Sequence, residues 1–420
     1  MRQIDLKNAS VAHTETVGGI NRQIVLNYVR EREPISRAAL AQETALQRST
    51  ISRLVDGLIA EGLIEEQEGK SSGGRPPTLL RLRGSAAVAI GVDLATTRTV
   101  VATSNLAGRV LHREEFATNP RSDKTLKLIV AAVRRLVRKT DQRIEGIGIS
   151  LPGIVESKTG TALFVPFFKW QDWAIGQEVS NAVGIPVVAD NDANAAALAE
   201  LWFGRPAIRG IRDFILVLVE EGLGTGLVLD GEVYHGQNGA AGECGHMNIG
   251  TRAPIECAAG SRECWEAFAS ERSALARYAR LGDGKNGRDG LTFASLMERA
   301  RAGHEPERTA LIETAEYLGV GISNLIKCIS PKAVIVAGNI TRVWSLIARP
   351  LEDAIGEHSI WRGLDSCRII PSTLGHQTRL MGTFSLILAN KFASLRSEPA
   401  IQAAGAGRRK AVPLSRSQAT

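Results

Sequence analysis

The sequence predicts an α/β protein in which a small helical domain precedes a much larger domain of two related lobes. Three observations support this prediction. The 420 residues exceed what one hydrophobic core usually organises. The first 80 residues contain three segments of helical periodicity and then a turn-rich stretch, whereas the rest alternates apolar strands with helical segments. This alternation restarts at FILVLV, which indicates two lobes of similar design.

Composition indicates a protein without membrane segments or a disulfide framework. The chain is 44% hydrophobic, yet it has no apolar run near the ~18 residues of a membrane span. Its first residues do not resemble a secretory signal. The five cysteines are odd in number and scattered, so reduced thiols are expected. We therefore expect a cytoplasmic protein with no membrane partner.

Charge suggests an acidic partner but does not locate its binding site. Fifty-one Lys and Arg against 44 Asp and Glu give a net charge of +7, which is typical of nucleic-acid binding. Residues 1–83 hold twelve basic and ten acidic side chains, whereas residues 391–420 hold six and one. We predict a disordered N-terminus (1–16), a first domain (17–83), a second domain (84–390) and a basic disordered tail (391–420).

Three helices are predicted in the first domain. Apolar positions from Ile20 to Tyr28 predict a helix that ends before Pro34. Ser36 is a good N-cap for a short second helix, which needs packing partners to be stable. A third helix follows with one apolar stripe, formed by Ile51, Leu54, Val55, Leu58 and Ile59.

The polar face of the third helix is a candidate DNA-reading surface. Its residues are Arg48, Ser49, Thr50, Ser52 and Arg53. An ordinary solvated helix face would look the same by periodicity alone. The order of a helix, a short helix, a turn, a longer helix and a hairpin favours a helix-turn-helix, whose second helix enters the major groove. Arginine offers forked donors to guanine or phosphate, and small hydroxyls allow close approach.

The segment GKSSGGRPP after the third helix has two open interpretations. Paired glycines and prolines bend the chain, and Arg75 on such a loop can reach phosphate or a narrow minor groove, as a wing does. The same residues would also suit a linker, and physical reasoning alone favours neither.

These stretches resemble the DNA-binding segment of the ROK (repressor, open reading frame, kinase) regulators. SRAALAQETALQRSTISRLVDGLIAEGLIEE and SSGGRPPTLLRL match that segment in order and spacing, and the resemblance extends over most of the chain. It implies a winged helix-turn-helix that binds double-stranded operator DNA, with Arg37 added to the contact residues. It also implies a homodimer or a dimer of dimers.

For the second domain, the resemblance implies the two-lobed actin-like fold of sugar kinases. The residues themselves predict strands at AVAIGVDL, TVVATSN and VLHREEF, a helix between Ser122 and Thr140, and later strands at FILVLV, GLVLDG and AVIVAG. In this family the sugar and ATP bind between the lobes.

Five residues are candidate sugar contacts. Carboxylates, amides and imidazoles suit the alternating donors and acceptors of a polyol, although each alone is weak evidence, and Asp192 has an alternative as a helix N-cap. The resemblance assigns sugar binding to Asn191, Asp192, Glu243, His246 and Glu266. In a kinase relative Asp192 would be the catalytic base.

The phosphate loops depart from the kinase pattern. Kinase members have Asp-x-Gly-Gly-Thr where this chain has Asp93 to Thr97, so the close approach of phosphate is impeded. Glu220 and Glu221 replace residues of a Gly-Thr-Gly loop, and like charges ~4 Å apart cost about 4 kcal/mol at an effective dielectric of 20. ATP binding and kinase activity are therefore not expected. The alternative is that Mg²⁺ bridges these acids to phosphate.

The family's zinc site is incomplete here. The resemblance assigns zinc to one histidine and three cysteines, but this chain offers His246, Cys257 and Cys264, with Ala259 in place of one ligand. A closed structural site wants four protein ligands. Three ligands with water, recruitment of Cys244, or an empty site with two buried thiols all remain open.

The expected function is a sugar-responsive repressor of carbohydrate-utilisation genes. A sugar or sugar-phosphate effector would change the angle between the lobes and release the operator. Pro166 and Phe167 before Trp170 replace a Pro-Asn pair that the family has near its sugar, which suggests a different sugar or pose. Two rival functions stay open: an ATP-dependent sugar kinase, and a regulator controlled by a transport protein.

Overall fold

The computed structural model describes residues 14–69, 76–84, 87–204, 208, 210–281, 291–359 and 367–392. The chain divides into two compact units between Arg81 and Leu82, close to the predicted boundary after residue 83. The segments 1–13 and 393–420, which hold most of the two predicted disordered ends, lie outside the described residues.

The described residues of the small unit form three helices and a three-stranded sheet. The helices are α1 (Thr14–Arg32), α2 (Arg37–Thr44) and α3 (Arg48–Ala60). The strands are β1 (Ile35–Ser36), β2 (Ile64–Glu68) and β3 (Thr78–Leu82), in the order β1-β3-β2. This arrangement is the predicted winged helix-turn-helix.

Local chemistry and burial explain the small unit. The Ser36 Oγ accepts a hydrogen bond from the Ala39 N–H at 3.1 Å, which confirms the predicted N-cap of α2. The stripe predicted on α3 faces inward: Ile51, Val55 and Leu58 are fully buried, as is Leu40 of α2, the helix that packs on α3. Tertiary packing thus supplies what the short α2 lacks alone.

The first lobe of the large unit is built on a five-stranded sheet in the order β11-β7-β4-β5-β6. Its strands are β4 (Ala87–Leu94), β5 (Arg98–Asn105), β6 (Val110–Ala117), β7 (Arg143–Leu151) and β11 (Val187–Asn191). Helices α4 (Ser122–Val137), α5 (Ile175–Val183) and α6 (Asp192–Phe203) accompany it. A smaller sheet contains β8 (Ile154–Glu156), β9 (Thr161–Val165) and β10 (Trp170–Trp173).

The second lobe repeats this topology. Its strands are β12 (Phe214–Val219), β13 (Leu223–Leu229), β14 (Glu232–Val233), β15 (Ala333–Ala337) and β16 (Arg368–Pro371). Their order is β14-β13-β12-β15-β16. In both sheets the first strand pairs antiparallel with the second and parallel with the fourth, as in the actin-like fold. The predicted duplication is confirmed.

Six helices follow in the second half of the described chain, and the last of them packs on the first lobe. They are α7 (Trp265–Ala269), α8 (Glu271–Leu281), α9 (Phe293–Arg301), α10 (Glu305–Ile329), α11 (Trp344–Glu357) and α12 (Thr378–Phe392). The last of them lies directly on β4 and β7, because a Cβ at Gly91 or Gly148 would come within 1.9 Å of Thr383 atoms. Among the described residues, no helix is long and apolar enough to cross a membrane.

Candidate DNA-reading surface and sugar-binding cleft

The start of α3 presents the predicted DNA-reading residues to solvent. Arg48, Ser49 and Arg53 are exposed, while Thr50 and Ser52 are half-buried. The first turn of α3 contains no acidic residue. Neither arginine forms an ion pair within the described part of the chain, so both guanidinium groups are available to a ligand. An uncompensated helix N-terminus with free arginines attracts phosphate.

Arg37 has internal partners instead of the free surface expected of a DNA contact. Its guanidinium lies 2.8 Å from an Asp56 oxygen and 2.8 Å from a Glu66 oxygen. It also donates to the Ser52 carbonyl at 3.3 Å. These bonds join the start of α2 to α3 and β2, so the side chain fixes the orientation of the reading helix.

The turn-rich segment lies between paired strands, as in a wing. The Gly69 N–H donates to the Pro77 carbonyl at 2.7 Å, and β2 and β3 are neighbours in the sheet. This arrangement favours a hairpin over a linker. Arg75 itself lies outside the described residues.

A cleft of about 840 Å³ separates the two lobes of the large unit, and all five predicted sugar contacts line it. Residues more than 70 positions apart in sequence therefore meet at one site, as the resemblance implied. Pro152, Gly153, Pro166 and Phe167 line the same cleft.

Asn191, not Asp192, is the N-cap of α6. The Asn191 Oδ1 accepts hydrogen bonds from the N–H groups of Ala193 (2.8 Å) and Asn194 (3.2 Å), and its amide donates to the Gly153 carbonyl at 2.9 Å. The N-cap alternative considered for Asp192 is thus wrong. Asp192 stands in the first turn, with its side chain only 13% exposed. Burial raises the pKa of Asp192, and Arg379 opposes that effect.

Glu243 and His246 stand one turn apart in a short 3-10 helix, residues Glu243–His246. The Glu243 Oε2 lies 3.8 Å from the His246 Nε2. Burial, followed by the nearby carboxyls of Asp192 and Glu266, raises the pKa of Glu243, while His246 lowers it. A carboxyl without a close hydrogen-bond partner among the described residues can bind a sugar hydroxyl.

Glu266 connects the cleft to the cysteine loop. Its Oε1 accepts from the Ala258 N–H at 2.7 Å, and its Oε2 is 3.5 Å from the Leu223 N–H. The side chain is therefore oriented by backbone groups on two sides before any ligand arrives.

The three predicted zinc ligands come together. His246, Cys257 and Cys264 bring one ligand atom each within 4.8 Å of one another, and the two sulfurs lie 3.4 Å apart. The His246 Nδ1 is buried and has no hydrogen-bond partner in the described structure. An orphaned imidazole nitrogen beside two thiols is a donor set that fits zinc.

The two altered phosphate loops face each other across the cleft. The Thr96 Oγ1, in the β4–β5 turn, donates a hydrogen bond to Glu221 in the β12–β13 turn. Burial, with Asp93 and Asp192 nearby, raises the pKa of Glu220 to about 7, although Arg379 opposes the shift.

Glu271 lies close to these loops. Its Oε1 accepts a hydrogen bond from Asn339 at 3.0 Å. Burial, and then the adjacent Glu220, raise the pKa of Glu271 to about 8.

Arg379 is a cleft residue that sequence reasoning missed. Its Nε and Nη2 lie 3.0 and 2.7 Å from the Asp93 Oδ1, and its Nη2 lies 3.9 Å from the Asp192 Oδ2. Burial disfavours the charge, but Asp93, Asp192 and Glu220 outweigh it and raise the pKa of Arg379 above its ordinary value. The only sequence signal is an arginine at the start of an otherwise uncharged helical stretch, TRLMGTFSLILAN.

The departure at Pro166 and Phe167 places an aromatic ring at the cleft. Phe167 lines the cleft and is 46% exposed. Below it, Phe168 stacks on Trp170 with ring centroids 4.2 Å apart, and the Trp170 indole donates to the Pro120 carbonyl at 2.7 Å. The indole is thus part of the support for this loop.

The fold and the cleft define a DNA-binding regulator that carries a domain of the actin-like sugar kinase type. The model of the ROK family matches residues 89–390, and that of the MarR family matches residues 24–73. The chain belongs to the ROK family, with the domain organisation of that family's transcriptional regulators.

Named relatives agree with this assignment. The chain is 33% identical to a xylose repressor of Caldicellulosiruptor bescii, over 88% of this chain and 96% of the relative. It is similar to the crystal structure of a ROK family transcriptional regulator, a homolog of the Escherichia coli Mlc protein (TM-score 0.74, 26% identity, 90% and 97% coverage). A ROK glucokinase from Streptomyces griseus in complex with glucose and AMPPNP gives a TM-score of 0.66 at 28% identity, covering 71% of this chain and 99% of that one.

Proposed function

We propose that this ROK regulator is a repressor whose operator is released when an unphosphorylated sugar binds in the cleft. The observation that carries the proposal is the combination, in one chain, of free arginines on α3 with a cleft lined by Asp192, Glu243 and Glu266. The first feature suits DNA, and the second suits the hydroxyls of a polyol. The chain would act in the cytoplasm, together with its DNA.

The charges around the cleft favour a neutral ligand over a sugar phosphate. Three carboxyls surround the sugar position, and Arg379, the nearest buried cation, already pairs with Asp93. A phosphate at that position would lie beside these three carboxyls, which is unfavourable in a partly buried site. Since the Caldicellulosiruptor bescii relative is named a xylose repressor, D-xylose is the first sugar to test.

The same cleft is unsuited to phosphoryl transfer. The Thr96–Glu221 hydrogen bond spans the two turns that would have to admit a polyphosphate. Glycine-rich loops bind phosphates through exposed backbone N–H groups, and here side chains stand in that space. We therefore propose that the domain has no kinase activity.

Zinc binding is a second proposal for this region. His246, Cys257 and Cys264 would hold the ion, with a fourth position left to water because Ala259 cannot coordinate. Zinc would fix the cysteine loop and, through the imidazole, the ring nitrogen Nε2 that lies 3.8 Å from the Glu243 Oε2.

Operator binding is proposed to involve a homodimer or a dimer of dimers, in line with the two-fold symmetry of most helix-turn-helix sites. The sugar must bind the DNA-free state more tightly than the DNA-bound state, with a coupling of about 1–3 kcal/mol. A regulator controlled by a transport protein remains the alternative if DNA binding responds to no sugar.

The test is a fluorescence anisotropy titration of the protein with its own upstream DNA, repeated with D-xylose, other sugars, sugar phosphates and ATP. Release by one neutral sugar, with no response to ATP, would support the proposal. Absence of DNA binding together with ATP turnover would instead support a sugar kinase. Tight DNA binding that ignores every sugar would point to a protein effector.

A further inference from the structure

Arg379 reaches the cleft because of how α12 packs on the first lobe. Thr383 of α12 sits on Gly91 of β4, and Arg379 lies four residues earlier, on the same face of the helix. Asp93 lies two residues after Gly91, on the same face of the strand. Helix and strand therefore bring the guanidinium to the carboxylate at the carboxyl end of β4, where the bonds are 2.7 and 3.0 Å long.

The cleft floor would be strongly anionic without this arginine. Asp93 is 9% exposed, and the Asp192 side chain is 13% exposed. Glu220, which belongs to the β12–β13 turn of the second lobe, lines the same cleft. Buried carboxylates repel one another unless a cation or a proton compensates them. Arg379 is the cation that compensates Asp93 and Asp192.

A second contact crosses the cleft beside the first. Thr96 of the β4–β5 turn donates to Glu221 of the β12–β13 turn. Thr96 and Glu221 both stand in altered phosphate loops, so the substitutions form a bond with each other where a polyphosphate would otherwise lie.

We propose that Arg379 lets the two lobes stay linked with no nucleotide bound: it compensates Asp93 and Asp192, so that Glu220 and Glu221 of the second lobe can approach them and the Thr96–Glu221 hydrogen bond can form. Arg379 is a positioning residue, because it acts on the sugar through Asp192. The effect on sugar binding rests on the proposed function, whereas the link between the lobes does not.

The test is hydrogen–deuterium exchange of the full-length, ligand-free protein, read at two turns that close with backbone hydrogen bonds. Ala95 N–H donates to the Arg98 carbonyl and Glu220 N–H donates to the Gly222 carbonyl, both at 2.9 Å. Arg379→Gln should speed exchange in both turns about tenfold, since uncompensated carboxylates separate the lobes. Arg379→Lys, which keeps the charge, should restore most of the protection.

Two further variants complete the design. Asp93→Asn combined with Arg379→Gln should exchange more slowly than Arg379→Gln alone, because one uncompensated carboxylate is gone. Arg113→Gln is the matched control, since Arg113 lines the same cleft but pairs with Glu115 inside the first lobe. Thr96→Val tests the second contact should Arg379→Gln not fold, and it should speed exchange at the β12–β13 turn.

Unchanged exchange at both turns in Arg379→Gln, or in Thr96→Val when the former does not fold, would overturn the link between the lobes. Titration of D-xylose by calorimetry gives the separate functional arm, in which Arg379→Gln should weaken binding about tenfold or more. Should the unaltered protein bind no sugar while the exchange results hold, the proposed function fails and the link stands.

Discussion

The variants Arg53→Ala and Arg37→Ala should distinguish an arginine that contacts DNA from one that supports the fold. Arg53 is exposed on α3 and has no ion-pair partner among the described residues, so its removal should leave stability unchanged. A lost arginine contact to a base or phosphate should weaken operator binding by about 1–3 kcal/mol per site. In a dimer that places two copies on phosphates, the slope of log K against log salt should become shallower by about 1.8.

Arg37→Ala should give the opposite pattern. Arg37 forms ion pairs with Asp56 and Glu66. Its side chain is 29% exposed, and the side chains of Asp56 and Glu66 are 66% and 42% exposed. Solvent screens such pairs, so the free energy of unfolding should fall by only about 1 kcal/mol when both ion pairs of Arg37 are lost. Because the Arg37 guanidinium is already bonded to these two carboxylates, the salt slope should stay at the unaltered value.

The assay is fluorescence anisotropy with operator DNA at a series of salt concentrations, combined with urea unfolding of each variant. Arg349→Ala is the control, because that side chain is 91% exposed and lies on α11 of the large unit. An unaltered salt slope in Arg53→Ala would refute Arg53 as a DNA contact. A shallower slope in Arg37→Ala would refute Arg37 as a residue that only supports the fold.

Four further outcomes are expected. Glu243→Gln should keep operator affinity but weaken sugar binding about tenfold, measured by calorimetry, because an acceptor for a sugar hydroxyl becomes in part a donor. Cys257→Ser should lower the zinc content well below about one ion per chain, measured by mass spectrometry of metal-reconstituted protein. The Asp190 carboxylate, 2.7 Å away, raises the pKa of His235, so this pair should stabilise the fold below about pH 6.5 and lose that effect as pH rises through the raised pKa; urea unfolding across pH should show this for the unaltered chain and not for His235→Asn. Phe167→Ala should weaken sugar binding several-fold in calorimetry, since the exposed ring at the cleft is lost as a stacking surface.

The sequence could predict what depends on local pattern. The N-cap at Ser36 and the stripe on α3 follow from residue type and helical spacing, and both are confirmed. The repeated alternation of strands and helices likewise predicted two related sheets. Spacing could not decide whether Asn191 or Asp192 caps α6, because both residue types cap helices equally well.

Contacts between distant segments were out of reach. Arg379 and Asp93 are 286 residues apart, and only the packing of α12 on β4 makes them neighbours. Thr96 and Glu221 were each identified as lost phosphate-loop residues, but nothing in either stretch indicates that they bond to each other. The bonds of Arg37 to Asp56 and Glu66 could not be predicted for the same reason. In sequence, an arginine next to a DNA-reading helix looks the same whether it binds DNA or other residues of the domain.

The altered loops and the arginine on α12 are best understood as parts of one change. A cleft whose two lobes are linked through a bound nucleotide keeps that link only while the nucleotide is present. A cleft in which Arg379 compensates Asp93 and Asp192, and Thr96 bonds to Glu221 across the lobes, keeps its link without a nucleotide. On the proposal made above, the two lobes hold their arrangement whatever the concentration of ATP, and the sugar is left as the ligand that can shift it. A sensor of one sugar gains from that independence, because its occupancy of DNA then reports the sugar alone.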